Sequence, residues 1–323
     1  MFFVSCCWET VAMAQSPIVR PIVIAHRGAS GYLPEHTLAA KALAFGQRAD
    51  FLEQDVVITQ DNQPIVLHDI HLDTVTDVVQ RFPNRKRSDG RFYAIDFTLA
   101  EIQSLAVHER IDLKTGKAVF PHRFPTTPTS LRIPTLGEEI EFIQGLNRSS
   151  GRDVGIYPEI KAPAWHRREG KDATAIVLRT LEQYGYQDRT SNAYLQCFDF
   201  DECKRIRFEL KSPLKLVQLL SHDDIDLSQT ENQLKQIAAY ADGIGPPLSL
   251  LAHLKDKTVT ITNLVESANT CGLVVHPYTI RQDALPDFAN DLQHLHEIVF
   301  RQAGAHGAFS DFPDLTVQFL QAK

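Results

Sequence analysis

Cysteine is scarce: five occur in 323 residues, at positions 6, 7, 197, 203 and 271, an odd number with no CxxC spacing. Such a pattern supports neither a disulfide framework nor a sulfur-ligated zinc or iron–sulfur site, and buried small hydrophobes are the simplest role for these residues. A Cys197–Cys203 bridge stays open. No run approaches the ~20 apolar residues that a membrane-spanning helix needs. Net charge is also modest, since 33 Lys and Arg against 40 Asp and Glu leave −7. That balance gives no global attraction to nucleic acid or anionic lipid, although a local basic pocket can still take a phosphate. Glycine (16) and proline (17) are at ordinary levels, which removes collagen-like and linker-rich classes. There is no GxxxxGK[ST], no GxSxG, no CxxCH and no glycine-rich dinucleotide turn, so P-loop ATPase, serine hydrolase, haem and NAD readings fall away.

Residues 1–17, MFFVSCCWETVAMAQSP, contain Ala12-Met13-Ala14, a small-x-small tripeptide of the kind export peptidases cut. The apolar run before it is short, is broken by Glu9 and lacks a basic start. The expectation is a truncated leader over residues 1–20, a mature chain beginning near Gln15, and a periplasmic location.

From Pro21 onward, short β-branched runs alternate with helical patterns. IVIAHRG precedes TLAAKALAFG; FLEQDVVIT and PIVLHD read as strands; VGIYPEIK precedes ATAIVLRTLEQYG; and AYLQCFDF precedes DECKRIRFELK. LKLVQLLSH, GIGPP with LSLLAHLKDK as its helix, LVVHPYTI and HGAFSDFP continue the rhythm. About eight strand–helix units without a linker favour one α/β domain over residues 21–323, a (β/α)8 TIM barrel rather than an open doubly wound sheet. Residues 71–134 break the rhythm and carry the basic RFPNRKR. They are read as a small inserted domain over one mouth of the barrel, with a helix at TLAEIQSL capped by Thr98 and boxed by Glu101.

A barrel strand has little reason to carry charge except at its catalytic mouth. Four runs do so. His26-Arg27-Gly28 ends the first strand and offers an acid or base, a guanidinium for phosphate, and a glycine that lets backbone approach a ligand. Glu53 and Asp55, two apart on one strand, share a face and repel unless a hard cation sits between them. Glu159 and Lys161 share another face and add a third carboxylate and a cation. His68-Asp69 ends PIVL with a second histidine. Three carboxylates without sulfur argue for Ca²⁺ or Mg²⁺ rather than zinc. Of the remaining histidines, His276 in VVHPY is the hardest to dismiss. Together the four runs are equipment for opening a phosphodiester, whereas a glycosidase would need a carboxyl pair with no call for the adjacent cations.

The chain resembles the glycerophosphodiester phosphodiesterases, in particular their longer exported bacterial type. The resemblance is carried by IAHRGASGYLPEHTL (24–38), DFLEQDVVITQDNQPIVLHD (50–69), RFYAIDFTLAEIQSL (91–105), VGIYPEIK (154–161), YLQCFD (194–199), YADGIGP (240–246), VVHPYTIR (274–281) and SDFPD (310–314). It implies a (β/α)8 barrel with an insertion, Ca²⁺, with Mg²⁺ as second choice, held by Glu53, Asp55 and Glu159, and catalysis by His26 and His68. Arg27 and Lys161 would contact phosphate, and Gln196 and Tyr278 would line the pocket, Tyr278 standing where many relatives have Trp. Pro34-Glu35-His36-Thr37 departs from the PENT of shorter relatives; Glu35 takes a ligand-orienting role among the substrate-binding residues and His36 no direct duty. The implied substrates are small deacylated phospholipids such as glycerophosphocholine and glycerophosphoethanolamine, cut to sn-glycerol 3-phosphate and an alcohol. One histidine would accept a proton from the glycerol 2-hydroxyl while the other protonates the departing alcohol. Their order is open, with His26 as base and His68 as acid the working assignment. No nucleic acid and no membrane span are implied, and oligomeric state is open, a homodimer being one arrangement. A membrane-docking phospholipase of related barrel type would want an apolar lip, and a non-enzymatic binding protein would not need both histidines and all three acids.

Overall fold

The computed structural model describes residues 20–226 and 229–322, so the leader read at residues 1–20 lies outside the described residues except for Arg20. The strands are β1 (Ile22–Ala25), β2 (Phe51–Ile58), β3 (Pro64–Val66), β4 (Gly155–Ile160), β5 (Tyr194–Cys197), β6 (Lys215–Leu219), β7 (Gly243–Gly245), β8 (Ala252–Lys255), β9 (Thr258–Ile261), β10 (Val274–Val275) and β11 (Gly307–Ser310). Eight of them pair in parallel in the order β10-β7-β6-β5-β4-β2-β1-β11. Beyond β10 the chain closes the ring on β11: Phe309 N–H donates to Pro277 O (3.0 Å) and Ile280 N–H to Phe309 O (2.8 Å). This is the parallel (β/α)8 barrel expected from the sequence.

Helices α1 (Leu38–Gly46), α2 (Val78–Arg81), α3 (Leu99–Gln103), α4 (Leu136–Ser150), α5 (Pro163–Arg168), α6 (Ala173–Gln183), α7 (Phe200–Phe208), α8 (Thr230–Ala238), α9 (Leu264–Thr270), α10 (Leu292–His296) and α11 (Pro313–Gln321) supply the crossovers and the insertion. A large apolar cluster fills the space between strands and helices, including Leu52, Ile156, Leu195 and Leu216 from strands and Ile140, Val177, Leu181 and Ile206 from helices. Among the described residues no helix is long and apolar enough to cross a membrane.

Period-two alternation decides what fills the barrel. Ile24, Phe51, Tyr157, Val217 and Phe309 meet at its centre, and the stacked rings of Tyr157 and Tyr194 lie 5.0 Å apart. Two residues further along the same faces come His26, Glu53, Glu159, Gln196 and Asp311. The interior is thus apolar below and polar at the carboxyl ends of the strands. His276 belongs to the apolar part: it is buried, its Nδ1 lies 2.9 Å from Tyr157 Oη, and burial lowers its pKa to about 3. It is a neutral structural histidine.

Behind β2, Lys41 is wholly buried, pairs with Glu139 at 2.8 Å and donates to the Glu53 carbonyl. Gln54 Nε2 donates to the same Glu139 at 2.8 Å. A buried pair of this kind destabilises by about 3–5 kcal/mol when one partner is removed, so it fixes the strand that carries Glu53 and Asp55.

Two segments differ from simple alternation. LSLLAHLKDK is not a helix: after a single tight turn at Leu248–Leu250, β8 and β9 form an antiparallel hairpin outside the barrel. Asp256 and Lys257 at its tip take φ of 49° and 63°, the left-handed pair of a two-residue hairpin turn, and β-branched Thr258, Val259, Thr260 and Ile261 favour the strand. PIVLHD gives β3, which pairs antiparallel with β2 instead of joining the ring. The chain beyond it gathers its own core from Leu72, Val78, Phe92, Phe97, Ile102 and Leu105 against Val57 and Ile65 of the β2–β3 hairpin. Inside that segment α3 carries the capping box of Thr98 and Glu101. Cys197, Cys203 and Cys271 are free thiols, the first two buried.

Candidate active site

The polar ends of β1, β2, β4 and β5 and the residues after β3 and β10 converge on an open cleft of about 530 Å³, with Phe309 of β11 at its floor. Its walls include His26, Arg27, Glu53, Asp55, His68, Glu159, Lys161, Gln196 and Tyr278, so nine of the ten site residues expected from the sequence meet there. The tenth, Glu35, stands behind Arg27 and accepts from its Nη1 at 2.9 Å.

The backbone is shaped for this convergence. Arg27 and His36 adopt φ of 58° and 61°, in the left-handed region that side-chain-bearing residues avoid. Gly28 follows with φ of 86° in contact with α1, where an added Cβ would lie 2.8 Å from the Ala40 carbonyl carbon. The turn directs the Arg27 amide at Glu53 Oε2 and swings His36 inward to Asp55.

Each histidine is held by a carboxylate. His26 Nδ1 lies 2.6 Å from Asp311 Oδ1, and His68 Nδ1 lies 2.6 Å from Asp69 Oδ1. Burial would raise both aspartates, but their histidine and arginine neighbours hold them well below the usual carboxylate range. An ionised carboxylate only accepts, so each Nδ1 carries a hydrogen and each Nε2 keeps its lone pair. Burial, with Arg27 next, lowers both imidazoles to about 4. Both therefore stand neutral at pH 7.

Three further arginines frame these pairs. Arg110 forks onto Glu35 (2.6 and 2.9 Å) and reaches Asp69 Oδ2 (2.6 Å). Arg123 joins Asp311 (2.7 Å) to Asp283 (2.8 Å), and Arg281 Nε donates to Asp311 at 2.8 Å. Sequence reasoning assigned no role to Asp69, Asp311, Arg110, Arg123 or Arg281. The two aspartates show the same mark as the residues it did find, charge at the end of an apolar run. Arg110 and Arg123 lie inside the insertion, where nothing in the sequence marks which loop arginine reaches the barrel.

The acids crowd. Glu53 and Asp55 project from β2 and Glu159 from β4, in register with Asp55. Burial and the Asp55 charge push Glu53 well above the normal carboxyl range, and burial pushes Glu159 up to about 8 despite Lys161 at 2.8 Å. Asp55 stays low because Lys161, His68 and His36 outweigh its burial. His36, Glu53 and Asp55 form a cluster able to hold a metal ion, their donor atoms lying within 4.8 Å of one another. Among the described residues Asp55 Oδ1 is buried without a hydrogen-bond partner, its only ion-pair contact being Lys161 Nζ at 3.5 Å, and Gln196 Oε1 is likewise unbonded. Buried oxygens without hydrogen bonds among hard carboxylate donors are what a divalent cation would satisfy, so the residues present fit one. His36 was expected to have no direct duty; its Nε2 lies 2.7 Å from Asp55 Oδ2, which makes it part of this cluster.

The far wall is less polar. Tyr278 donates through Oη to Leu220 O (2.8 Å) and packs edge-on against Phe198 with ring centres 5.9 Å apart, while Gln196 projects from β5 beside Glu159.

A closed barrel with this chemistry at the carboxyl ends of its strands is a phosphate-ester enzyme of the (β/α)8 type. Comparison makes the assignment narrower. The chain belongs to the glycerophosphoryl diester phosphodiesterase family, whose model matches residues 26–315. It is 46% identical over 326 residues to a glycerophosphodiester phosphodiesterase of Haemophilus influenzae, covering 93% of this chain and 90% of that protein. A Treponema pallidum glycerophosphodiester phosphodiesterase is 39% identical over 325 residues, covering 93% and 91%. Among solved structures, a Silicibacter pomeroyi protein described as a glycerophosphoryl diester phosphodiesterase matches with a TM-score of 0.70 at 23% identity, over 94% of both chains. An Oleispira antarctica phosphodiesterase in complex with sn-glycerol-3-phosphate matches with 0.66 at 22% identity, over 94% of this chain and 98% of that one. At these identities the two structures speak for the fold.

Proposed function

We propose that the protein hydrolyses glycerophosphodiesters to sn-glycerol 3-phosphate and an alcohol. The observation that carries this reading is the pair of carboxylate-held histidines facing one cleft with Arg27, Lys161 and an acid cluster between them. Arg27 and Lys161 bind the phosphoryl oxygens, and Gln196, Phe198 and Tyr278 accommodate the glycerol half. One imidazole Nε2 takes the proton of the glycerol 2-hydroxyl as that oxygen bonds to phosphorus. The other first takes up a proton at Nε2, becoming an imidazolium balanced by its aspartate and the bound phosphate anion, and delivers that proton to the head-group oxygen as its P–O bond breaks. Water then opens the cyclic phosphate to glycerol 3-phosphate. Proximity makes the internal hydroxyl a strong nucleophile once the phosphate is fixed.

Glu53, Asp55 and Glu159 would hold the cation, with His36 orienting Asp55. Irregular all-oxygen surroundings suit Ca²⁺ better than Mg²⁺, which demands near-octahedral order. Such an ion, when bound, supplies positive charge for the phosphoryl oxygens.

The test is product analysis. Glycerol 3-phosphate should be released from the choline, ethanolamine, glycerol and serine diesters with kcat/KM values within ~30-fold, about 2 kcal/mol of differential transition-state binding. Bis(p-nitrophenyl) phosphate, which lacks the glycerol hydroxyl, should be cut poorly or not at all. Brisk cleavage of that aryl diester would remove the substrate hydroxyl from the mechanism.

We also propose that the protein is exported and acts in the periplasm, in line with the longer exported type of its family. Ala12-Met13-Ala14 supports this reading. N-terminal sequencing of protein from its native cell should find a start near Gln15; an intact Met1 in a cytosolic fraction would overturn export.

A further inference from the structure

Glu109, contributed by the insertion, is an acid at the barrel mouth that forms no ion pair among the described residues, the Arg123 and Arg110 charges nearby only partly offsetting its burial. It is only 4% exposed, and its Oε2 is buried without a hydrogen-bond partner among the described residues. The guanidiniums around it are taken: Arg27 by Glu35, Arg110 by Glu35 and Asp69, Arg123 by Asp283 and Asp311, Arg281 by Asp311. Burial, with the nearby Glu35 charge, pushes the Glu109 carboxyl up to about 7. Leaving such an oxygen unpaired is costly, so the site calls for a hydrogen-bond donor.

The surroundings say which donor. Glu109 lines a narrow side pocket, with room for about one water-sized group, that shares His26, Arg27 and Arg281 with the catalytic cleft. A group attached to a phosphate held at Arg27 can therefore reach it. The cavity's aromatic wall, Phe120, is already covered by the Arg123 guanidinium 3.7 Å from its ring centre. The ring face that Arg123 covers is closed to a quaternary ammonium, whereas a primary ammonium carries N–H donors for a free carboxylate oxygen.

We propose that Glu109 is a specificity-determining residue that receives the primary ammonium of an amine-bearing head group in the side cavity beside His26. The inference rests on the phosphodiesterase reading above and deepens it from a loose head-group site to one with a preference.

The experiment compares kcat/KM for glycerophosphoethanolamine, its N-acetyl derivative and glycerophosphoglycerol in the full-length enzyme and in Glu109→Gln. In the wild type the free amine should be favoured about tenfold over both uncharged head groups, the scale of one charge-assisted hydrogen bond. In Glu109→Gln the ethanolamine-to-glycerol ratio should fall to within about twofold of unity. A ratio unchanged by the substitution overturns the inference while leaving the phosphodiesterase reading intact. If the variant does not fold, the wild type decides alone, because N-acetylation that leaves kcat/KM unchanged overturns it equally. Release of glycerol 3-phosphate from none of the three compounds would overturn both readings.

Discussion

His26→Ala and His68→Ala should each lower kcat/KM for glycerophosphoglycerol by at least ~100-fold, the usual scale for a lost acid–base group, with the far-ultraviolet circular dichroism unchanged. The expectation follows from how the two rings are held. Each has Nδ1 fixed by an ionised aspartate at 2.6 Å, so each presents Nε2 and has a counter-ion ready for the imidazolium that forms in the cycle. Neither ring is replaceable by its neighbour, because His26 is anchored to β11 through Asp311 and His68 to the insertion through Asp69 and Arg110. A glycerol diester with a p-nitrophenyl leaving group separates the roles, since an aryl oxide departs without a proton. With the head group in the cavity beside His26, the leaving oxygen faces His26. The His26→Ala variant should therefore recover most of its loss on the aryl diester and His68→Ala should not. This is the reverse of the working order drawn from the sequence, and recovery by His68→Ala alone would restore that order. A variant with near-wild-type turnover on the alkyl diester would remove its histidine from the mechanism.

The barrel was legible because its strands are short, β-branched and end in charge at one fixed position. Ile24 then His26, Phe51 then Glu53, and Tyr157 then Glu159 each put an apolar residue in the barrel centre and a polar one two steps later at its mouth. Period two alone carries that information. The antiparallel placement of β3 was not legible, because PIVLHD has the composition of a barrel strand and its pairing depends on the tight reversal at residues 59–63. LSLLAHLKDK was misread because its leucines fit a helical stripe, while the left-handed Asp256-Lys257 turn that makes it a hairpin is a backbone property without a glycine to mark it. At the site, the missing pieces are long-range pairings: Arg110 reaches Glu35 across 75 residues and Arg123 reaches Asp311 across 188. His36 was undervalued because its inward aim comes from a strained φ, which a Pro-Glu-His-Thr string does not display.

Chelation of the purified enzyme should abolish hydrolysis, and Ca²⁺ should restore it at least as well as Mg²⁺. The ground is the acid cluster itself: Glu53 and Glu159 pushed up by burial, and an Asp55 oxygen without a hydrogen-bond partner among the described residues, with only oxygen and one imidazole as donors. Binding can be read without turnover. Because an ion that binds only the folded chain stabilises it by RT ln(1 + [L]/Kd), saturating Ca²⁺ at about 100 Kd should add about 2.7 kcal/mol to the unfolding free energy. Glu53→Gln and Asp55→Asn should each weaken Ca²⁺ binding by at least ~100-fold in titration calorimetry and suppress the calcium-dependent rise in Tm. His36→Gln separates ligand from support. If His36 only orients Asp55, the variant should lose about 10–100-fold in affinity and regain activity at high Ca²⁺, the scale for a group that acts through a metal-binding carboxylate. A His36→Gln protein that binds no Ca²⁺ at any concentration would make the imidazole a ligand in its own right. Zinc in the active enzyme, with no response to Ca²⁺, would overturn the hard-cation assignment, because Glu53, Asp55 and Glu159 offer no sulfur and His36 is the only nitrogen donor in the cluster found among the described residues.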